Sequence, residues 1–327
     1  MNKAPPRIEI GLNAAIVAVH DQQPLILAVA GKDREPDALP FGPFDPIAHR
    51  TLETGLRTWV AEQSALKLGY VEQLYTFGDR GRHAMPGDIG PHVLSVGYLA
   101  LTRESEESAA ALERAGARWR RWYDFFPWED WREGRPTILD ETILPALARW
   151  VTTEGSKGSP ARALGREERV RLAFGVADTD VWDEERVLDR YELLYEAGLV
   201  GEARRDGRNA PDAALTHRTG EAMRFDHRRI VATAISRLRA KLKYRPVVFE
   251  LMDATFTLRE LQRTVEAISG RHLHTQNFRR LVEGAALVEQ TGEIAPQRRG
   301  RPAALFRFRR EVIKERPAPG LRLSARV

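Results

Sequence analysis

Gln276, Asn277, Arg279 and Arg280 stand within one short stretch near the end of a 327-residue chain, directly after Thr275. A side-chain amide can pair with adenine through two hydrogen bonds, and a guanidinium with guanine, so this is chemistry suited to base edges. A second concentration of charge follows at Gln297-Arg298-Arg299-Gly300-Arg301-Pro302. Upstream, Lys241, Lys243, Tyr244 and Arg245 offer groups that would hold phosphates and position a domain without reading sequence.

Two helices and a hairpin are needed to present these groups. Thr257-Leu258-Arg259-Glu260 sets Thr three residues before Glu, a pattern in which each side chain caps the other's backbone at a helix start. Leu258, Leu261, Val265 and Ile268 then recur at helical spacing until Gly270. A second helix begins at His274 and Thr275, with Phe278, Leu281 and Val282 inward, and Gly284 as its stop. Gln276, Asn277, Arg279 and Arg280 are left outward. A strand-like Leu287 to Thr291, a turn at Gly292, the basic loop and the alternating Phe306-Arg307-Phe308-Arg309 complete the outline of a winged helix-turn-helix. Its second helix would enter the major groove, and the expected assembly is a homodimer on a two-fold double-stranded DNA operator.

Charge distribution points the same way. From Arg224 onward, 23 Lys and Arg face 10 Asp and Glu, whereas the first 223 residues hold 28 against 36. Such asymmetry suggests a nucleic-acid-binding end attached to a module with another task. The remaining composition, 43% apolar and 30% charged, fits a globular chain of two or more domains. No apolar run approaches membrane-spanning length, so no membrane partner is expected. With no cysteine and no signal-peptide layout, the expected compartment is the cytoplasm.

From the start, Ile8 to Val19 and Leu25 to Val29 read as a hairpin around Asp21-Gln22-Gln23-Pro24. A Pro- and Gly-rich loop follows, then a helix with Leu52, Leu56, Trp59 and Val60 on one face. Tyr70 to Phe77 and Val93 to Leu101 are strands, and a helix from Thr142 to Val151 closes the unit. The aromatic run from Trp119 to Trp131 is read as core and domain packing. Residues 152–161 read as a linker. Arg166 to Phe174 and Asp183 to Ala197 are helical, and Ala203 to Thr219 is polar and expected to be mobile. Phe225 to Leu242 is a long, basic, amphipathic helix taken as a connector, and the element expected to carry any ligand signal.

Pro40-Phe41-Gly42 before a helix, Glu72-Gln73-Leu74-Tyr75-Thr76-Phe77-Gly78-Asp79, and the strand to Leu101 resemble a Nudix domain of the ADP-ribose pyrophosphatase type. Joined to the C-terminal outline, they resemble the Nudix-related transcriptional regulators of NAD metabolism, the NrtR family. Phe225-Asp226-His227, Phe256-Thr257-Leu258-Arg259-Glu260-Leu261-Gln262, Asn277-Phe278-Arg279-Arg280, Gly300-Arg301-Pro302 and Phe306-Arg307-Phe308 agree with that family. Arg-Gly-Arg-Pro also resembles the core of minor-groove AT-hooks. The resemblance implies an α+β chain: a Nudix-like α/β/α sandwich at 1–155, a helical insertion and connector at 156–244, and a winged helix at 245–327.

Nudix enzymes hold Mg²⁺ on carboxylates of one helix face, where the metal polarises a pyrophosphate and activates water. The signature is Gly-x5-Glu-x7-Arg-Glu-U-x-Glu-Glu-x-Gly-U, with U aliphatic. Gly42 matches, Ala48 stands at the first Glu, and Arg57 matches with a one-residue shift. Thr58, Trp59, Ala61 and Ser64 replace a Glu, the aliphatic residue, the first paired Glu and the Gly, so only Glu62 remains of the metal-binding set. The expectation is a domain without catalytic residues or a metal, binding a nucleotide without cutting it. Glu53, Asp79 and Asp88 are the alternative ligands. The resemblance implies ADP-ribose or a related NAD metabolite as effector, with no cofactor. Arg57 is the candidate phosphate contact, and Glu62, Gln73, Tyr75, Phe77, Arg80 and Arg82 border the pocket. Tyr75 and Phe77 are also explained as core, and Arg80 and Arg82 as solvated charge.

Overall fold

The structure is a computed structural model that describes residues 7–32, 35–64, 66, 68–79, 82, 90–104, 106–153, 164–176, 181–208, 213–295 and 303–321. It opens on β1 (Ile8–His20) and β2 (Gln23–Val29), joined through Asp21 and Gln22. Both turn residues have positive φ, 45° and 64°, the twist that a two-residue hairpin loop requires. Pro24 therefore lies in the strand opposite Val19, not in the turn that the sequence suggests. β3 (Phe41–Pro43), α1 (Leu52–Ser64), β4 (Tyr70–Phe77), β5 (His92–Leu101), α2 (Glu106–Arg114) and β6 (Ala117–Arg121) complete the first unit.

Five of the strands run in the order β4-β5-β1-β2-β6, with β3 also on β1. β1 and β5 are parallel, and the other pairings are antiparallel. Both faces of the central strands are covered, so β1 is apolar on successive positions rather than alternating. Leu12, Ala14 and Ile16 meet Leu56 and Val60 of α1 and Leu112 of α2, while Ala15 and Val17 belong to the core on the opposite face. Between Gln73 and Thr76 the β4–β5 register slips, leaving two residues opposite Gly97. That bulge turns Phe77 into the core at 4% exposure and leaves Tyr75 61% exposed.

Beyond β6 come α3 (Trp122–Phe125), α4 (Leu144–Thr152), α5 (Arg166–Phe174), α6 (Val187–Glu196), α7 (Gly201–Arg205) and α8 (Ala213–Arg218). The helix expected from Thr142 starts earlier, with a π turn over Leu139–Ile143 that runs into α4. Most of the expected linker lies outside the described residues. Ala203 to Thr219 contributes to α7 and α8, with Thr216 and Thr219 buried.

α9 (His227–Tyr244) is the main departure from expectation. Its sequence looks amphipathic because arginines break the apolar run, but Arg228 and Arg239 are 0% and 1% exposed. The helix packs against β1, β4, β5 and α6. Gly97 permits the approach: a Cβ there would stand 3.0 Å from Ile230 and 3.2 Å from Phe77. α9 is thus the layer on the second face of the sheet as well as the segment that leads into the winged domain.

α10 (Leu258–Ser269), α11 (Thr275–Gly284), β7 (Val288–Ile294), β8 (Ala304–Phe308) and α12 (Val312–Glu315) follow. The Thr257–Glu260 capping box is formed, and Gly270 closes α10 at φ +74°. Gly292 lies within β7 at φ +82°, at an irregularity in the hairpin rather than at its turn. Phe308 stacks on Phe249 at 4.2 Å, and Phe256 bridges to Phe306, fixing the hairpin to the helices. The molecule is mixed α+β, with a Nudix-like sandwich followed by a winged helix.

Candidate functional site

The second helix of the winged domain is held by polar contacts on its inner side. Gln262 donates to Leu273 O at 2.8 Å and to Glu266 Oε1 at 2.9 Å, and the same carboxylate accepts from Leu273 N at 2.8 Å. These bonds satisfy the backbone of the tight turn between α10 and α11. Phe278 and Val282 are buried beneath α11. Their burial leaves Thr275, Gln276, Asn277, Arg279 and Arg280 exposed. One helix therefore presents two carboxamides and two guanidiniums to solvent on a rigid base, an arrangement fit for base edges. Arg298, Arg299 and Arg301 lie outside the described residues.

The expected phosphate contacts are placed differently. Lys241 Nζ meets Glu72 Oε2 at 2.5 Å and Tyr70 Oη at 2.9 Å. Burial works to lower the pKa of its ammonium, but Glu72 and Tyr70 raise it overall. Lys243 is paired with Glu185 and, at 3.2 Å, with Glu184. Tyr244 is 41% exposed. Two of these three groups therefore join α9 to its neighbours, a pairing across 58 to 171 residues that no local pattern signals.

On the Nudix side, Arg57 donates to Glu53 at 2.8 and 2.9 Å and to the carbonyls of Leu68 and Gly69, tying α1 to the entry of β4. Glu62 and Gln73 are exposed. Tyr75 meets Phe77 edge to face at 5.3 Å, and Phe77 itself is core. Arg80 and Asp88 lie outside the described residues. Trp59 lies across Gly42, where a Cβ would come within 2.2 Å of the indole, and donates to Pro43 O. With Glu53 on Arg57 and Asp79 on Arg229, these carboxylates are already engaged. Among the described residues, no three His, Asp or Glu gather as a metal site. Among the described residues, the carboxylates do not form the donor set on which Nudix hydrolysis holds magnesium.

Arg82 reveals a cluster that the sequence reading missed. Its guanidinium forms two bonds to Glu192 of α6, at 2.8 and 3.0 Å, and stacks 3.7 Å from the Tyr195 ring. Asp226 lies 3.8 Å away and also 3.1 Å from Arg229, which in turn holds Asp79 and Glu192. Arg229 holds the Asp79 carboxyl below its usual range. Burial pushes Asp226 up to about 7, against the pull of Arg229 and Arg82. A cavity of about 370 Å³ reaches Glu192 and Arg229, with Arg169, Leu172, Asp189 and Glu196 also on its wall. Phe225-Asp226-His227 was the available signal, but its partners come from other elements.

The family model of the NrtR DNA-binding winged helix domain matches residues 248–308. The ADPR responsive transcriptional repressor NtrR of Acinetobacter baylyi is 40% identical over 86 residues, 26% of this chain. The matched stretch spans 33% of that relative's length. Shewanella oneidensis NrtR, in its complex with a 27mer DNA, superposes with a TM-score of 0.54 at 20% identity, covering 93% of this chain and 95% of that one. A MutT/nudix family protein from Enterococcus faecalis gives 0.51 at 13% identity, covering 94% and 89%. At these identities the structural matches speak to fold alone. Residues 248–308 match the NrtR winged-helix family, and the whole chain shares the fold of a Nudix-like domain joined to a winged helix.

Proposed function

We propose that the protein is a DNA-binding transcriptional repressor whose affinity for its operator is set by ADP-ribose or a related NAD metabolite held in the Nudix-like domain. The observation that carries this reading is α11, with Gln276, Asn277, Arg279 and Arg280 outward on a helix anchored by Phe278 and Val282. The named relatives, an ADPR responsive repressor and an NrtR solved with DNA, support it. On this reading Thr275 and its neighbours meet bases, Tyr244 and the wing arginines Arg298, Arg299 and Arg301 meet the backbone and minor groove, and two copies bind a two-fold site. The target genes serve NAD metabolism. Loss of the signature carboxylates and engagement of Glu53 and Asp79 leave the nucleotide bound and uncut.

Fluorescence anisotropy on a duplex from upstream of the protein's own gene tests the reading, with ADP-ribose and NAD added and then analysed by chromatography. Sequence-specific binding that changes with intact nucleotide is the expected result. Release of AMP with Mg²⁺, with no specific DNA binding, would establish a divergent Nudix hydrolase instead.

A further inference from the structure

We infer that a chain of charge pairs, running through α6 and centred on the buried Glu129, couples Asp79 and Arg82, just beyond β4, to the turn of the helix-turn-helix, so that Glu129 and Arg239 are positioning residues that pass the nucleotide's effect to the DNA-reading helix. The inference rests on the proposed function and names the device behind its regulation.

The chain starts at Asp79 and Arg82, just beyond β4. Arg82 is bonded to Glu192, and Asp79 reaches the same carboxylate through Arg229. Glu192 sits on α6, two residues from Arg190. Arg190 is 0% exposed and forms a two-bond pair with Glu129, Nε to Oε1 at 2.6 Å and Nη2 to Oε2 at 2.9 Å. Oε2 also accepts from Arg239 Nη1 at 2.7 Å. One wholly buried carboxylate is therefore shared between a guanidinium of α6 and one of α9.

Arg239 carries the connection into the winged domain. Its Nε donates to Ile268 O at 2.8 Å, and Nη2 donates to Glu129 O at 3.3 Å and lies 3.4 Å from Tyr123 Oη. Ile268 is in the last turn of α10, and Gly270 follows as its cap. A Cβ on Gly270 would stand 2.4 Å from Glu129 O and 2.9 Å from both Arg239 Nη2 and Tyr123 Oη. Trp131 N donates to Gly270 O at 2.7 Å, and Tyr123 Oη to Ala267 O at 2.8 Å. The turn that orients α11 is thus clamped to the strand-end segment of the Nudix-like unit.

Such a network transmits because a buried carboxylate cannot lose one guanidinium without rearranging on the other. A ligand that displaces Asp79 or Arg82 moves Glu192 and α6, Arg190 follows, and Glu129 shifts its hold on Arg239. The Gly270 turn has no slack in which to absorb that movement. Coupling carried this way needs the charge on Glu129, not merely a side chain that fills its space.

The test uses full-length Glu129→Gln and, as a less buried second variant, Glu192→Gln, each checked by circular dichroism. DNA affinity is measured by anisotropy without nucleotide and at saturating ADP-ribose, and hydrogen exchange is followed over residues 267–280. Both variants should bind DNA without nucleotide within about threefold of wild type, while the ADP-ribose effect, about fivefold or more in the wild type, falls below about twofold. Exchange at 268–275 should rise in both variants, with or without nucleotide. A folded variant that keeps the wild-type nucleotide effect and exchange pattern overturns the inference. If Glu129→Gln does not fold, Glu192→Gln decides alone. If wild-type protein ignores ADP-ribose, the functional reading fails, and exchange in the variants still decides whether the linkage exists.

Discussion

Asp226 is 5% exposed, with a carboxyl pushed by burial from 3.8 to about 7. Between those values the native state holds a proton that the unfolded chain has lost. The contribution of Asp226 to stability therefore falls as pH rises from about 4 through about 7. Urea unfolding at about pH 5 and about pH 8 should show the wild type losing roughly 2–4 kcal/mol more than Asp226→Asn between the two conditions. Equal losses would mean that Arg229 and Arg82 keep the carboxylate ionised throughout. Lys241 offers a second test at this scale. Because its ammonium is bound to Glu72, Lys241→Ala should lower the melting temperature and leave the salt dependence of DNA binding unchanged. A phosphate contact would instead reduce that slope by about 1. Asn277→Ala and Arg279→Ala should each weaken operator binding by about 1–3 kcal/mol and relax base preference, with little change on unrelated DNA. Competition anisotropy separates the two effects.

Local elements were legible wherever local chemistry decides them. Thr257 and Glu260 announce α10, and the reciprocal cap is present at 3.2 and 2.7 Å. Thr257→Ala should cost about 1 kcal/mol and lower the thermal midpoint by a few degrees. Leu258, Leu261, Val265 and Ile268 gave the buried face of α10, and Phe278 with Val282 that of α11. The elements read wrongly are those where a distant partner overrides a local pattern. Arginines at 228 and 239 look like a solvated face until Glu202 and Glu129 meet them in the core. Gly292 reads as a turn, yet the hairpin continues through it because a left-handed residue also fits a strand irregularity. The outward face of the candidate recognition helix was legible from periodicity alone. The cluster of Arg82, Glu192, Asp226 and Arg229 was not, since its members come from three separate stretches of chain. Gly270→Ala would put a side chain on a left-handed residue and against Glu129 O, so it should destabilise by about 2 kcal/mol or more.

At the scale of the whole molecule, burial ties the parts into one body. A single apolar cluster runs from Ala15 and Leu99 of the sheet through Tyr191 and Ile235 to Leu261 and Val282 of the winged domain. A nucleotide bound on one side can bias a DNA-reading surface on the other only if it binds two arrangements of that body unequally. Linkage then makes the effect reciprocal, because DNA must alter nucleotide affinity by the same factor by which nucleotide alters DNA affinity. The most direct measurement is calorimetric titration of ADP-ribose into the free protein and into its saturated DNA complex. The account predicts two dissociation constants differing by about 5–150-fold, equal to the shift in DNA affinity, with the nucleotide recovered intact. Identical constants in the two titrations would contradict it, as would an absence of nucleotide binding to either form.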